Sequence, residues 1–213
     1  MRSMQTRRTA LLGLAGTGAL LLSGCKIVPI ASDDDAQGGG FDAEAYADGL
    51  WAERVLPHFA ATAKPLPDVV QAIAADLDAA GETLGYRAAA EGSPWSFIVT
   101  GTGRVTAKNT QSRAGTLVLA VDGVPAEVTI QIGPVVRGNA VRDSLPFVSF
   151  KEFTNQLEFA DVGKALTARA LAATEADAAA ATVGQAVTFT GAMSLNAKGD
   201  KLLVTPVSLA VAG

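Results

Sequence analysis

Gly115-Thr116-Leu117-Val118-Leu119-Ala120-Val121-Asp122-Gly123-Val124-Pro125-Ala126-Glu127-Val128-Thr129-Ile130-Gln131-Ile132-Gly133 is the stretch from which the fold can be read. Residues 115–122 and 126–133 are rich in Val, Ile, Leu and Thr, and Asp122-Gly123 between them tolerates the positive φ that a tight reversal needs, so the two runs predict a β-hairpin. Upstream, residues 95–100 and 103–109 share this composition, and Gly101-Thr102-Gly103 reads as a turn between two more strands. The four runs together predict an antiparallel meander.

Outside the meander the period changes from two to about 3.6. Tyr46, Leu50, Trp51, Val55 and Phe59 predict an amphipathic helix over residues 42–61 with an aromatic-rich face. Pro65 and Pro67 interrupt the chain, and Val69, Val70, Ile73, Ala74, Leu77 and Ala80 predict a second helix that ends near Gly81 or Gly85. Ser149 and Glu152 make a capping box that is expected to open a long helix to about residue 173. Apolar residues lie on two sides of that helix (Phe153, Leu157, Ala160; Val162, Leu166, Ala170), so a wide arc of it is expected to be covered by sheet. An alanine-rich bridge (176–181), a strand (185–194), a turn (196–200) and a last strand (201–211) complete the chain. The expected fold class is α+β: N-terminal helices packed on an antiparallel, curved sheet or small barrel of the oligonucleotide/oligosaccharide-binding (OB) kind, with one long inserted helix.

The chain has 213 residues, a net charge of −4 and one cysteine, Cys25. Arg2, Arg7 and Arg8 precede about thirteen mostly apolar residues from Ala10 to Leu22, too short to span a bilayer, and then comes Leu22-Ser23-Gly24-Cys25. This order resembles the lipobox of bacterial lipoproteins, which implies cleavage before Cys25 and acylation of its thiol. Residues 1–24 are thus expected to be a signal peptide, 25–40 a lipidated tether and 41–213 a single periplasmic domain. Thr6-Arg7-Arg8-Thr9-Ala10-Leu11-Leu12 also resembles a twin-arginine export signal, and the choice between that route and the general one stays open. Asp33, Asp34 and Asp35 lack the alternating ligands of a calcium loop and read as part of a solvated tether. Removing the leader takes three of 17 basic residues and none of 21 acidic ones, leaving a net charge of −7. That sign argues against nucleic acid as a partner.

The segment Gln131-Ile132-Gly133-Pro134-Val135-Val136-Arg137-Gly138-Asn139-Ala140-Val141-Arg142-Asp143, with Phe147, Phe150, Phe153 and Asn155-Gln156 beyond it, is distinctive. With Ser112-Arg113-Ala114-Gly115-Thr116 and Val204-Thr205-Pro206-Val207, it resembles an uncharacterised family of predicted periplasmic lipoproteins, domain of unknown function 2291. The resemblance implies a lipid anchor on Cys25, a palmitate-type modification, and an accessory role beside ATP-driven sugar uptake transporters. No catalytic residue comes with it.

Read by chemistry alone, Arg113 and Arg137 fall on connections between regular elements. Guanidinium groups held there by a rigid sheet are candidate contacts for carboxylates, phosphates or sugar hydroxyls. Asn139, Arg142, Asp143, Asn155 and Gln156 complete the candidate ligand or partner set. The alternative is structural: Arg142 pairing with Asp143, the other arginines tying loops together, and Asn155 and Gln156 satisfying backbone groups. With one cysteine and one histidine (His58), no site needing two histidines or a Cys/His pair can be built, and no hydrolase elbow, zinc-protease motif or phosphate loop is present. The expectation is a protein without cofactor or metal that is not an enzyme. An independent glycan- or small-ligand-binding lipoprotein is the alternative to the accessory role, and an envelope hydrolase is the least favoured.

Overall fold

The computed structural model describes residues 40–87 and 93–212, so the leader, Cys25 and the acidic tether lie outside the described residues. Asp42 opens the first helix by accepting the backbone N–H of Ala45 at 2.9 Å. The single helix expected over 42–61 is α1 (Ala43–Leu50), a π-turn at Trp51–Val55 and α2 (Leu56–Thr62). Pro57 has no N–H to continue the regular ladder, and the N–H of Leu56 reaches back five residues to the carbonyl of Trp51. Trp51, Val55 and Phe59 of the expected face are buried. After β1 (Lys64–Pro65), two helices replace the second one: α3 (Leu66–Ala75) and α4 (Leu77–Leu84). Asp76 separates them because its side chain caps α4, accepting the N–H of Ala79 at 2.9 Å.

The five long strands are β2 (Trp95–Asn109), β3 (Thr116–Val121), β4 (Val128–Gln131), β5 (Ala186–Leu195) and β6 (Leu202–Val211). β2 runs unbroken through Gly101-Thr102-Gly103, which corrects the expected turn. A Cβ on Gly103 would sit 2.8 Å from Val121 Cγ2, and one on Gly101 would sit 3.2 Å from the Phe189 ring. These glycines stand where neighbouring side chains crowd the backbone, which a local reading cannot tell from a reversal. β2 serves two partners: Trp95 to Arg104 pair antiparallel with β5, and Gly103 to Asn109 pair with β3, with a register shift between Val105 and Ala107. β3 and β4 form the expected hairpin, with Gly123 at φ +79°. A parallel pairing of β4 with β6, from Val128↔Leu202 to Ile130↔Val204, completes the ring β2-β3-β4-β6-β5. This is the five-stranded Greek-key order of an OB barrel.

Between β4 and β5 run α5 (Ala140–Asp143), a 3₁₀ turn (Phe150–Glu152) and α6 (Gln156–Ala180). The Ser149–Glu152 capping box opens only the 3₁₀ turn, because Phe153 is extended. α6 starts seven residues later than Ser149, at a second cap: Asn155 Oδ1 accepts the N–H groups of Leu157 and Glu158 at 2.9 and 3.0 Å. The helix continues through the expected alanine bridge to Ala180. Lys108 holds its C-terminus, donating from Nζ to the carbonyls of Ala178, Ala179 and Ala181 at 2.8–2.9 Å. A cation against the negative end of a 25-residue helix stabilises it where the sequence alone reads as linker.

Two apolar clusters hold the domain together. The barrel interior, including Phe97, Val99, Leu119, Ile130, Phe189 and Val204, is joined by Leu66, Val69 and Ile73 of α3 and by Ala178 of α6. Alternation along β2 sends Ile98 the other way, where with Ala192 and Val207 it meets a helical layer built from α1, α2, α5 and α6. Val162, Leu166 and Ala170 of α6 are buried in that layer. The candidate site lies where the chain passes from one cluster to the other.

Candidate functional site: the 132–139 loop and the groove along α6

Gln131, the last residue of β4, is 5% exposed and anchors the loop that follows. Its Oε1 accepts the Arg137 N–H at 2.8 Å, and its Nε2 donates to the Arg137 carbonyl at 3.3 Å and to Thr205 Oγ1 at 3.2 Å. One side chain therefore closes loop 132–137 and ties it to β6 just where main-chain pairing of β4 and β6 stops. The same loop is joined to the β2–β3 connection. The N–H groups of Ile132 and Gly133 donate to the Gly115 carbonyl at 2.9 and 3.1 Å, and that of Val135 donates to the Arg113 carbonyl at 3.1 Å. Gly133 has no room for a Cβ, which would run into the backbone of Gly115 and Arg113.

Arg113 and Arg137 thus stand on adjoining loops with exposed side chains. Arg142 faces a different environment. Its Nε and Nη2 donate to Asp143 Oδ1 at 2.8 and 2.6 Å, Nη1 donates to the Phe159 carbonyl at 3.2 Å, and its guanidinium carbon lies 3.9 Å from the Phe159 ring centroid. With 11% of its side chain exposed, Arg142 locks α5 onto α6. Asn139 stands just before α5 with Oδ1 against Gly163, the one α6 residue small enough at that contact. Asn155 caps α6, and Gln156 beside it is exposed. The structure therefore sets the loops of Arg113 and Arg137 side by side, groups Asn139, Arg142 and Asp143, and sets Asn155 and Gln156 at the helix start.

A groove of about 560 Å³ runs between this loop and α6. Ile132, Pro134 and Val136 form one wall, and Ala168, Leu171 and Ala172 form the other. Asn139, Thr167, Lys164 and Glu175 add polar groups, with Lys164 and Glu175 about 16 Å apart along the helix axis. Lys164 also donates to Asp161 at 2.8 Å. Gln131, Gly133 and the α6 wall were missed from sequence. Gln131 reads there as one more strand residue, and Ala168, Leu171 and Ala172 read as a helix ending in linker.

His58 is engaged elsewhere, with Nε2 at 3.3 Å from the Ser144 carbonyl and its ring edge-on to Phe147. Asp78 accepts the Trp95 indole N–H at 2.7 Å and pairs with Arg87 at 3.1 Å, and the Trp95 bond foremost holds its carboxyl below the usual range. Tyr46 is pushed above its usual value, first by burial and then by Glu152, to whose carboxylate it donates at 3.2 Å. Among the described residues no three His, Cys, Asp or Glu side chains gather as a metal site, and no helix is long and apolar enough to cross a membrane.

Barrel, inserted helix and pinned loop define an OB-fold domain whose distinguishing surface is a shallow apolar groove beside the barrel. A solved OB-fold protein from Thermotoga maritima has the same architecture, with a TM-score of 0.67 at 15% identity over 81% of this chain and 99% of that one. The family model described as predicted periplasmic lipoprotein (DUF2291) matches residues 15–210, and the chain belongs to that family. It is accordingly a lipid-anchored protein of the cell envelope. No curated protein matches the sequence.

Proposed function

We propose that this lipoprotein is a non-enzymatic docking module, held by lipid on Cys25, that serves an ATP-driven sugar uptake system by binding a segment of a transporter component in the groove along α6. The observation that supports the reading is the groove itself. It is an apolar strip, held rigid on one side by Gln131 and on the other by a packed helix, with a cation near one end and an anion near the other. Its length of about 16 Å suits roughly five residues of extended peptide. It offers a sugar no aromatic ring to stack on. Arg142, which a glycan site would use, is occupied by Asp143 and Phe159.

The test is co-purification with the transporter from native envelope, comparing wild type with Ala168→Trp, which fills an exposed position of the groove wall. The wild type retains a transporter component and the variant loses it at equal membrane abundance. Equal retention by both sinks the docking reading. A thermal melt raised by several degrees with a monosaccharide or oligosaccharide, and abolished by Arg113→Ala or Arg137→Ala, would favour the independent glycan-binding alternative instead.

A further inference from the structure

At the N-terminal end of α6, five aromatic rings follow one another in edge-on or tilted contact. Tyr46 and Phe41 both meet Phe153, at centroid distances of 5.4 and 5.5 Å, Phe153 meets Phe159 at 5.6 Å, and Phe159 meets Phe150 at 5.7 Å. Phe153 is 8% exposed, but the outer rings of the cluster are open, Phe41 at 37% and Phe150 at 47%, and Leu157, on the first turn of α6 two residues before Phe159, is 73% exposed. Phe41 and Phe150 each pack on the cluster and leave the rest of the ring to solvent, and with Leu157 they give this end of the domain an apolar surface.

This rim includes the end of the described domain that is nearest to Cys25 along the chain. Phe41 lies sixteen residues after Cys25, so the domain's first aromatic can never be more than roughly 55 Å from the lipid. We infer that the edge formed by Phe41, Phe150 and Leu157 seats the domain directly on the bilayer that holds its lipid. The inference rests on acylation of Cys25. Asp42, Glu44, Glu152 and Glu158 surround the rim, with Lys151 opposing them, so anionic headgroups are repelled and contact comes from shallow apolar insertion into a zwitterionic surface. Three partly exposed side chains would hold a free protein weakly. Tethering raises the local concentration of membrane to the millimolar range, where weak contact suffices. α6 then points away from the membrane, lifting the groove on its middle turns clear of the headgroups and toward a partner.

The test uses the full lipidated chain in phosphatidylcholine vesicles. Cys25 is the only native cysteine, so a single introduced cysteine is the only free thiol once it is acylated. An environment-sensitive fluorophore is placed at Leu157→Cys or, as a control, at Val183→Cys, which replaces a residue 62% exposed just beyond the other end of the helix, about 37 Å away. The expected result is blue-shifted emission at position 157, quenched by a lipid-borne quencher at least about threefold more than at 183. Adding Phe150→Glu to the Leu157→Cys variant should return quenching to the control level. Equal quenching at both positions, or none at 157, overturns the inference and leaves a protein partner as the occupant of the rim. Failure of the protein to float with the vesicles at all would refute acylation of Cys25 instead.

Discussion

The barrel interior and the helical layer beside it are built on different rules. Inside the barrel, alternate residues of every strand converge on one apolar cluster, and its glycines sit where a neighbouring side chain or strand leaves little room for a Cβ. In the helical layer, packing is completed by polar devices at the ends of elements: Gln131 on the 132–137 loop, Arg142 with Asp143 between α5 and α6, Asn155 and Lys108 at the two ends of α6. The barrel is therefore a scaffold tolerant of little, whereas the layer is a surface whose parts are separately fastened. The groove lies between the loop that leaves the barrel and α6, and the aromatic rim belongs to the layer.

Phe189→Ala should break this comparison from the barrel side. Phe189 is 1% exposed, and its loss should cost about 3–5 kcal/mol and lower the denaturant midpoint of the entire domain. Gly133→Ala comes next, because a Cβ there meets backbone and not a yielding side chain. A loss of about 2–3 kcal/mol is expected, with amide exchange raised in residues 113–116 and 131–137. If exchange rises uniformly instead, the loop is part of the scaffold and the contrast between the two regions fails.

Gln131→Ala removes three hydrogen bonds and leaves the Arg137 backbone without its partner, for about 1–3 kcal/mol. Its local signature, faster exchange at Arg137, should exceed its global one. Lys108→Met keeps the aliphatic stem and removes the charge, and the expected loss of about 1–2 kcal/mol should appear as fraying after Ala176 in exchange measurements. Smallest is the effect of Asp78, whose carboxyl is exposed and titrates below its ordinary value when folded. Its contribution is present above the unfolded carboxylate pKa and is lost as pH falls through the lower folded value. Asp78→Asn should flatten that acid limb of the stability profile by slightly lowering stability at neutral pH, where the charged carboxyl contributes, while leaving stability below the folded value nearly unchanged.

Strand positions were the most legible part of the fold in the sequence, and helix limits the least. The Asp122-Gly123 hairpin and the last two strands stand where composition and turn chemistry put them, because alternation and positive-φ residues act over a few neighbours. Gly101-Thr102-Gly103 misled because glycine is required equally by a reversal and by a close approach, and only Phe189 and Val121 decide between them. The start of α6 was misplaced because the Ser149–Glu152 capping box and the Asn155 cap compete within ten residues, and Phe153 is drawn into the aromatic cluster in an extended conformation. Of the candidate site, Arg113 and Arg137 were found as loop residues, but the groove was not, since its second wall comes from a helix more than thirty residues away in the chain.

What the sequence determined by itself is local and directional: a basic and apolar leader, a single cysteine in a lipobox, an acidic chain, strands of alternating pattern and an inserted helix. These are readings of neighbours along the chain, and the predicted periplasmic lipoprotein family model matches residues 15–210. What only the tertiary structure decided is closure and assembly: the parallel β4–β6 pairing that makes a barrel of the sheet, the role of Lys108 at the far end of α6, and the burial of Arg142 between Asp143 and Phe159. The first two depend on groups about seventy residues apart in sequence meeting in the fold, and the third on Phe159 of α6 arriving over a guanidinium already paired with its neighbour, where the partner decides whether an arginine binds a ligand or holds two helices together.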